Sequence, residues 1–132
     1  MAQYLEGSER QRSRSYSPAV VTEGGRIVWM AGQTALADAD GADIAGNFEA
    51  QKHRVFALMD ETLRRVGGSL ADLVTMTVFI KERRHGGRFV EIRRGRFADG
   101  RYPCSALISV ANFARPGMEI EIQGIAVIGD RA

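Results

Sequence analysis

The segment from Phe48 to Gly68 constrains the fold more than any other part of the chain. Its apolar residues recur at a helical spacing that marks one buried face, and the preceding Asn47 is a suitable N-cap. Gly67-Gly68 ends the predicted helix. An apolar, β-branched run, Leu73–Ile80, follows after a short link and predicts a strand. A helix that leads directly into a buried strand indicates an α+β domain.

Four further strands and a second helix are predicted around this centre. Glu23-Gly24-Gly25 is a turn signal between two apolar runs, which predicts a hairpin. Its second arm, residues 26–31, is almost continuously apolar, so we expect a strand buried on both faces. Residues 88–97 carry a helical apolar stripe, and two alternating strands follow. The predicted order is β-β-α-β-α-β-β, with both helices on one face of a single mixed sheet.

The two last strands, Cys104–Val110 and Met118–Val127, should present different sides to the helices and to the exterior. On the first of them, we expect the more apolar side to meet the helices and to bury Cys104 as a structural thiol. That side consists of Cys104, Ala106, Ile108 and Val110. The opposite face would hold Ser105, Leu107, Ser109, Glu121 and Gln123. This mixture predicts a subunit interface that contains a polar cleft.

The chain has 132 residues, the size of one domain. We expect residues 1–14 to be a flexible or surface-strapped segment and residues 15–132 to be a single domain. No apolar run approaches the roughly 20 residues that span a membrane, and the N-terminus does not resemble a signal peptide. A lone cysteine gives no indication of export. We therefore expect a cytoplasmic protein without a membrane partner.

Arginine is concentrated in two places, residues 10–14 and 83–101, and the formal net charge is +2. Nucleic acid is one explanation. Acidic residues interrupt the second cluster and no aromatic residues alternate with it, so a solvated helix face is the preferred interpretation. His53 and His85 lack the spacing of metal ligands. We expect no metal and no cofactor, and these features disfavour a nucleic-acid partner.

Several strings, taken in order, resemble the Rid/YjgF family, also called endoribonuclease L-PSP-like proteins. They are Tyr16-Ser-Pro-Ala-Val, Ala31-Gly32-Gln33, the helix and strand from Phe48 to Ile80, Pro103–Ala111 and Met118–Val127. The resemblance implies a chorismate-mutase-like fold and a homotrimer with a small-molecule cleft between subunits. In deaminating members, that cleft hydrolyses enamines or imines to a carbonyl compound and ammonia without a metal or cofactor.

The resemblance also implies site residues, and one of them differs here. The family's carboxylate-binding arginine lies two residues after a proline, a position that is Ser105 in this chain, and its cysteine two residues later is Leu107. The glutamate that places water matches Glu121, and Tyr16 and Gly32 also match. Glu121 and Tyr16 are thus the predicted catalytic residues. The predicted substrate-binding residues are Ser105, Leu107, Gly32 and Arg101.

Replacement of the arginine leaves three interpretations. Another arginine reaches the cleft, with Arg101, Arg88 and Arg115 as candidates; or the substrate is larger or uncharged at that end; or the cleft binds a ligand without turnover. The leading hypothesis is a hydrolytic enamine/imine deaminase or a related hydrolase. The alternatives are a non-catalytic metabolite binder or sensor and an RNA-interacting protein or endoribonuclease.

Overall fold

The secondary structure of the computed structural model, which describes residues 2–129, has the predicted order with one strand and one short helix added at the start. The strands are β1 (Ala2–Tyr4), β2 (Val20–Thr22), β3 (Arg26–Trp29), β4 (Leu73–Ile80), β5 (Cys104–Ser109) and β6 (Ile120–Ile128). The helices are α1 (Glu9–Ser13), α2 (Phe48–Arg64) and α3 (Gly86–Arg96). Residue 1 of the predicted N-terminal segment and residues 130–132 of the predicted domain lie outside the described residues.

The main sheet has the strand order β3-β6-β4-β5 and is mixed, because β4 and β5 are parallel while the other pairs are antiparallel. Helices α2 and α3 pack on one face of it. Phe56 of α2 stacks on Phe89 of α3 with ring centroids 5.8 Å apart, and both rings are fully buried. The predicted α+β fold with one main sheet and two covering helices is confirmed.

Helix α2 has the expected boundaries. The side chain of Asn47 accepts a hydrogen bond from the backbone N–H of Ala50 at 3.0 Å, as an N-cap does. At the other end Gly67 adopts φ +86°, the left-handed conformation that favours glycine after a helix. Local sequence therefore defines this helix, and its apolar face supplies much of the core.

The predicted hairpin is wrong, although its turn forms. Gly24 and Gly25 both have positive φ, but β2 pairs with β1 in a separate two-stranded sheet and β3 pairs with β6. The expectation that β3 is buried on both faces is also wrong for the described chain. Ile27 is 55% exposed and Trp29 is 74% exposed, because β3 is an edge strand whose outer face no described element covers.

The predicted facing of β5 is wrong as well. Parallel pairing places Ser105 beside Met76 and Leu107 beside Val78, and both partners belong to the core under the helices. The side with Ala106 and Ile108 lies on the other face and is exposed. Cys104 is accordingly half-buried on the uncovered side instead of in the core. Both sides of β5 are partly apolar, so hydrophobicity alone could not choose between them.

Two basic residues are buried, and one of them, Arg93, belongs to the cluster that the sequence assigned to a solvated helix face. Lys52 is 1% exposed and Arg93 is 2% exposed. Each follows an aromatic residue by one helical turn, Phe48 and Phe89 respectively, and lies over its ring. The long side chains thus extend along the apolar stripe of their helices instead of pointing into solvent.

Candidate functional site

A polar cavity of about 350 Å³ lies beside edge strand β5. We call it the arginine pocket. Helix α1 and the residues after it supply one wall, helix α3 supplies a second, and β5 supplies the third. Its lining residues are Arg10, Arg14, Tyr16, Arg93, Ser105, Ala106 and Leu107. Three of the predicted site residues, Tyr16, Ser105 and Leu107, are therefore brought together.

Arg93 approaches the hydroxyl of Ser105, the residue that occupies the family's arginine position. Its Nη1 donates to Ser105 Oγ at 2.7 Å, its Nε donates to Ser15 Oγ at 3.3 Å, and its Nη2 donates to the carbonyl of Arg14 at 3.0 Å. A guanidinium from α3 thus occupies the neighbourhood in which the resemblance implied one from β5.

The charge of Arg93 has no carboxylate counterpart within residues 2–129. Three hydrogen bonds use three of its five N–H donors, so two remain beside the pocket. Burial, and secondarily the neighbouring Arg14 guanidinium, lowers the pKa of Arg93 from 12.5 to about 10. The side chain is still protonated at neutral pH and therefore presents a positive charge.

The segment around Tyr16 is held in place by two buried serines. Ser15 Oγ donates to the carbonyl of Val90 at 2.9 Å, and Ser17 Oγ donates to the carbonyl of Tyr102 at 2.6 Å. Ser15 has φ +57°, which is uncommon for a residue other than glycine. These bonds place the ring of Tyr16 6.0 Å from the Arg93 guanidinium carbon. The serines position both side chains at the same cavity.

Glu121 and Gly32 meet on the opposite face of the sheet, in what we call the Glu121 corner. Gln33 exchanges two backbone hydrogen bonds with Ile122, at 2.8 and 3.1 Å, which brings Gly32 alongside β6. A Cβ atom on Gly32 would lie 2.2 Å from Glu121 Oε2, so any larger residue would displace the carboxylate. Within the described residues this carboxylate has neither an ion pair nor a hydrogen-bond donor.

The face around the Glu121 corner carries exposed apolar residues and is uncovered in the single chain. Strand pairing places Glu121 beside Phe79, and Phe79 beside Ile108. The same face continues to the exposed Ile27 and Trp29 at the other edge of the sheet. We call this surface the open face. Exposed apolar residues on an uncovered sheet face indicate an interaction surface.

The three arginines proposed from the sequence do not enter the arginine pocket. The guanidinium of Arg101 lies 4.8 Å from the ring centroid of Tyr4 and lines a different cavity. Arg88 forms ion pairs with Glu49 and Glu91. Arg115 is exposed and is absent from the lining of the pocket.

Arg93 was not among the candidate residues, although the sequence contains a pattern that could have found it. Phe89, Arg93 and Phe97 are spaced four residues apart, so they share one side of a helix. An arginine between two aromatic residues on a buried stripe indicates a buried cation. The same four-residue spacing, from Phe48 to Lys52 to Phe56, marks Lys52 as the second buried cation.

Neither a cluster of metal-ligating side chains nor a membrane-spanning helix is found in the part of the chain that the structure describes. Residues 2–129 contain no group of three or more histidine, cysteine, aspartate or glutamate side chains that could hold a metal ion. They also contain no helix that is long and apolar enough to cross a membrane.

The chain is an α+β protein with a polar cavity beside edge strand β5 and, within residues 2–129, an unpaired carboxylate on the uncovered face of its main sheet. The family model described as Endoribonuclease L-PSP matches residues 8–128. The chain therefore belongs to the Rid/YjgF, or endoribonuclease L-PSP, family.

Individual relatives support this assignment. Protein DfrA of Myxococcus xanthus is 30% identical over 112 residues, which cover 85% of this chain and 84% of the relative. Among solved structures, the Rid-family protein YyfB of Yersinia pestis is similar with a TM-score of 0.75 at 25% identity, covering 96% of this chain and 98% of that one. RidA from an Antarctic Psychrobacter has a TM-score of 0.70 at 28% identity, covering 86% and 89% of the two chains.

Proposed function

We propose that the protein is a hydrolytic enamine/imine deaminase that acts in a cleft between copies of the chain. The observation that carries the proposal is the Glu121 corner: a carboxylate without a cation partner in the described residues, held against a glycine at which a side chain would displace it. Such a carboxylate is free to orient a water molecule and to accept its proton.

The reaction requires little beyond positioning. Water adds to the electrophilic carbon of a C=N bond, and one of its protons passes through Glu121 to the nitrogen, which gives a carbinolamine. The remaining hydroxyl proton then moves to the nitrogen as the C–N bond breaks, which leaves a carbonyl compound and ammonia. In this proposal the hydroxyl of Tyr16 donates to a substrate oxygen or nitrogen, and Arg93 holds an anionic group. In this proposal Arg93 replaces the arginine that the family has at the position of Ser105.

The arginine pocket and the Glu121 corner, the two half-sites of this proposal, lie on opposite faces of one sheet, which supports an oligomer. Ser105 shares the helix-covered face with Met76, whereas Glu121 shares the open face with Phe79. One chain therefore cannot place both half-sites around one small substrate. In the homotrimer that we propose, the open face of one subunit packs beside β5 of the next, so that each cleft combines Glu121 of one copy with the arginine pocket of another.

The activity is tested with imines generated in place by an amino-acid oxidase, following ammonia release and the loss of imine that semicarbazide can trap. We expect Glu121→Gln to lower turnover at least about 100-fold, the lower range of general acid–base contributions. Gly32→Ala should also lower turnover, because its methyl group displaces the Glu121 carboxylate without opening the core.

Glu119→Gln is the matched control, since it removes a carboxylate from the same stretch of chain but does not touch Gly32. It should retain wild-type turnover. Full activity in Glu121→Gln would refute the assignment of Glu121, and absence of turnover in the wild type would refute the deaminase.

The oligomer is tested by light scattering coupled to size-exclusion chromatography. We expect a mass three times that of the 14.5 kDa chain. Trp29→Asp should produce monomers, because it places a charge at a 74% exposed aromatic residue on the open face. Asp40→Trp, in an exposed loop, serves as a control for altered surface composition. A monomeric wild type would eliminate the interfacial site.

A second candidate is a metabolite binder without turnover, and the buried Arg93 charge favours it as much as it favours the enzyme. Saturable binding with no Glu121-dependent chemistry would select it. The arginines of residues 83–101 give less support to nucleic-acid binding than their number suggests. Arg88 is paired with two carboxylates and Arg93 is buried, so neither is available to a phosphate backbone.

A further inference from the structure

The arginine pocket holds more positive charge than one carboxylate would balance. Three arginine residues line it, Arg10, Arg14 and Arg93, and no acidic residue lines it. Its volume of about 350 Å³ is within the range of small-molecule sites. An aqueous cavity with this lining attracts anions.

Arg93 is the fixed member of the set. It is 2% exposed, its three nitrogens are held by Ser15, Ser105 and the Arg14 carbonyl, and its charge lacks a carboxylate in the described chain. A buried charge is costly unless it is paired. The neutral hydroxyl and carbonyl groups orient the guanidinium but do not neutralise it, so an anion in the pocket would supply the missing charge.

Arg10 and Arg14 are brought to the same pocket by the backbone of the N-terminal segment. The carbonyl of Arg14 accepts from Arg93, and the carbonyl of Ser13 accepts from Arg94. These contacts use main-chain atoms, which leaves the Arg14 side chain to face the cavity beside a like charge. Such an arrangement is unfavourable by itself and becomes favourable when an anion lies between the cations.

We propose that the arginine pocket binds a small dicarboxylate, with one carboxylate on Arg93 and the second between Arg10 and Arg14. The dicarboxylate site rests on the proposed function and assigns its substrate class. The substrate would be the imine or enamine of an acidic amino acid or of another compound with two carboxylates. A monocarboxylate would satisfy Arg93 and leave the two arginines of the N-terminal segment without a partner.

The first test is calorimetric titration of the full chain with succinate, propionate and inorganic phosphate at low and high salt. We expect succinate to bind at least about tenfold more tightly than propionate, an increment typical of one added charge-assisted contact. The difference should shrink at high salt. Equal affinity for succinate and propionate would overturn the proposal. Phosphate binding as tight as succinate binding would overturn its assignment to a dicarboxylate.

The double variant Arg10→Gln/Arg14→Gln should reduce succinate affinity to that of propionate and leave propionate binding unchanged. Arg12→Gln is the matched control, because Arg12 lies on the same short helix but pairs with Glu6 and does not line the pocket. It should bind succinate as the wild type does. An equal loss of succinate affinity in Arg12→Gln would mean that general surface charge accounts for the binding, and it would overturn the proposal.

Turnover measurements separate this proposal from the proposed function. Aspartate imine should be hydrolysed at least about tenfold more efficiently than alanine imine, and the double variant should remove that preference. Glu121-dependent turnover of both imines with equal efficiency would retain the deaminase and overturn the dicarboxylate site. Arginine-dependent succinate binding with no turnover of any imine would retain the site and overturn the deaminase.

Discussion

Lys52 on α2 and Arg93 on α3 are both buried over an aromatic ring one turn earlier, and they differ in what balances their charge. Lys52 Nζ lies 2.8 Å from Glu49 Oε2. Arg93 has only hydroxyl and carbonyl partners and borders a cavity. The first cation completes a structural ion pair, while the second keeps an unbalanced charge beside open space. Burial alone therefore does not separate a structural cation from a ligand-binding one.

The largest expected difference between the two cations is in ligand binding. Arg93→Met should weaken succinate binding about 100-fold, equivalent to about 2.7 kcal/mol. Its free energy of unfolding should change by less than about 1 kcal/mol, because the variant also removes an unbalanced buried charge. Titration calorimetry and urea unfolding measure the two quantities. Arg96 lies on the same helix but is exposed, so Arg96→Met should change neither succinate affinity nor the free energy of unfolding. Unchanged succinate binding in Arg93→Met would contradict the assignment of Arg93 as a ligand-binding cation.

The converse experiment is Lys52→Met, which keeps the apolar stem of the side chain and removes its charge. We expect a loss of about 1–2 kcal/mol in the free energy of unfolding, since Glu49 keeps only the exposed Arg88 as a partner. Succinate affinity should stay within about twofold of the wild type, because Lys52 does not line the pocket. A parallel loss of succinate binding would mean that the two cations act together.

Ser105→Ala tests whether the Ser105 hydroxyl orients the Arg93 guanidinium for ligand binding. Removal of the hydroxyl takes away one hydrogen bond of 2.7 Å to the guanidinium, so succinate affinity should fall by about 1 kcal/mol. Ser109→Ala, on the same strand and the same side, is the control and should bind succinate normally. Stronger binding in Ser105→Ala would indicate that the serine competes with the ligand for Arg93.

The smallest expected effect is the contribution of Glu49, the partner of Lys52, to the pH dependence of stability. Hydrogen bonds from Arg88 and Lys52 lower the pKa of Glu49 from 4.5 to about 2. A lowered pKa in the folded state stabilises the protein above about pH 4.5, and this contribution is lost as the pH falls towards 2. Because Glu49 is half exposed, we expect only about 0.5–1 kcal/mol at neutral pH.

Comparison of the unfolding free energies of the wild type and Glu49→Gln between pH 2 and pH 7 tests this effect. The two curves should converge as the pH approaches the lowered pKa of about 2. A constant separation across the range would mean that packing, and not charge, accounts for the difference. Glu6 is exposed and pairs with Arg12. The free energy of unfolding of Glu6→Gln should therefore match that of the wild type at every pH.

The candidate site was predictable in part. Tyr16, Ser105 and Leu107 line one cavity, and Glu121 contacts Gly32, so the matched positions do form clusters. Their roles in catalysis remain a prediction. Two expectations about the surroundings were wrong: β5 turns Ser105 towards the helices, and the cation beside Ser105 comes from α3. A strand's side chains alternate whichever way it faces, so alternation alone cannot reveal which side will be covered.

Local sequence determined the helix from Phe48 to Arg64, the buried strand after it, and the order of the other elements from β2 onward. It could do so because capping, periodicity and β-branched residues act within a few neighbours along the chain. Only the tertiary structure decided that Arg93 meets Ser105 and that Glu121 lies on the other face. Those relations depend on strand register and on helix packing between segments distant in sequence, and the free energy that selects them comes from burial of the whole core.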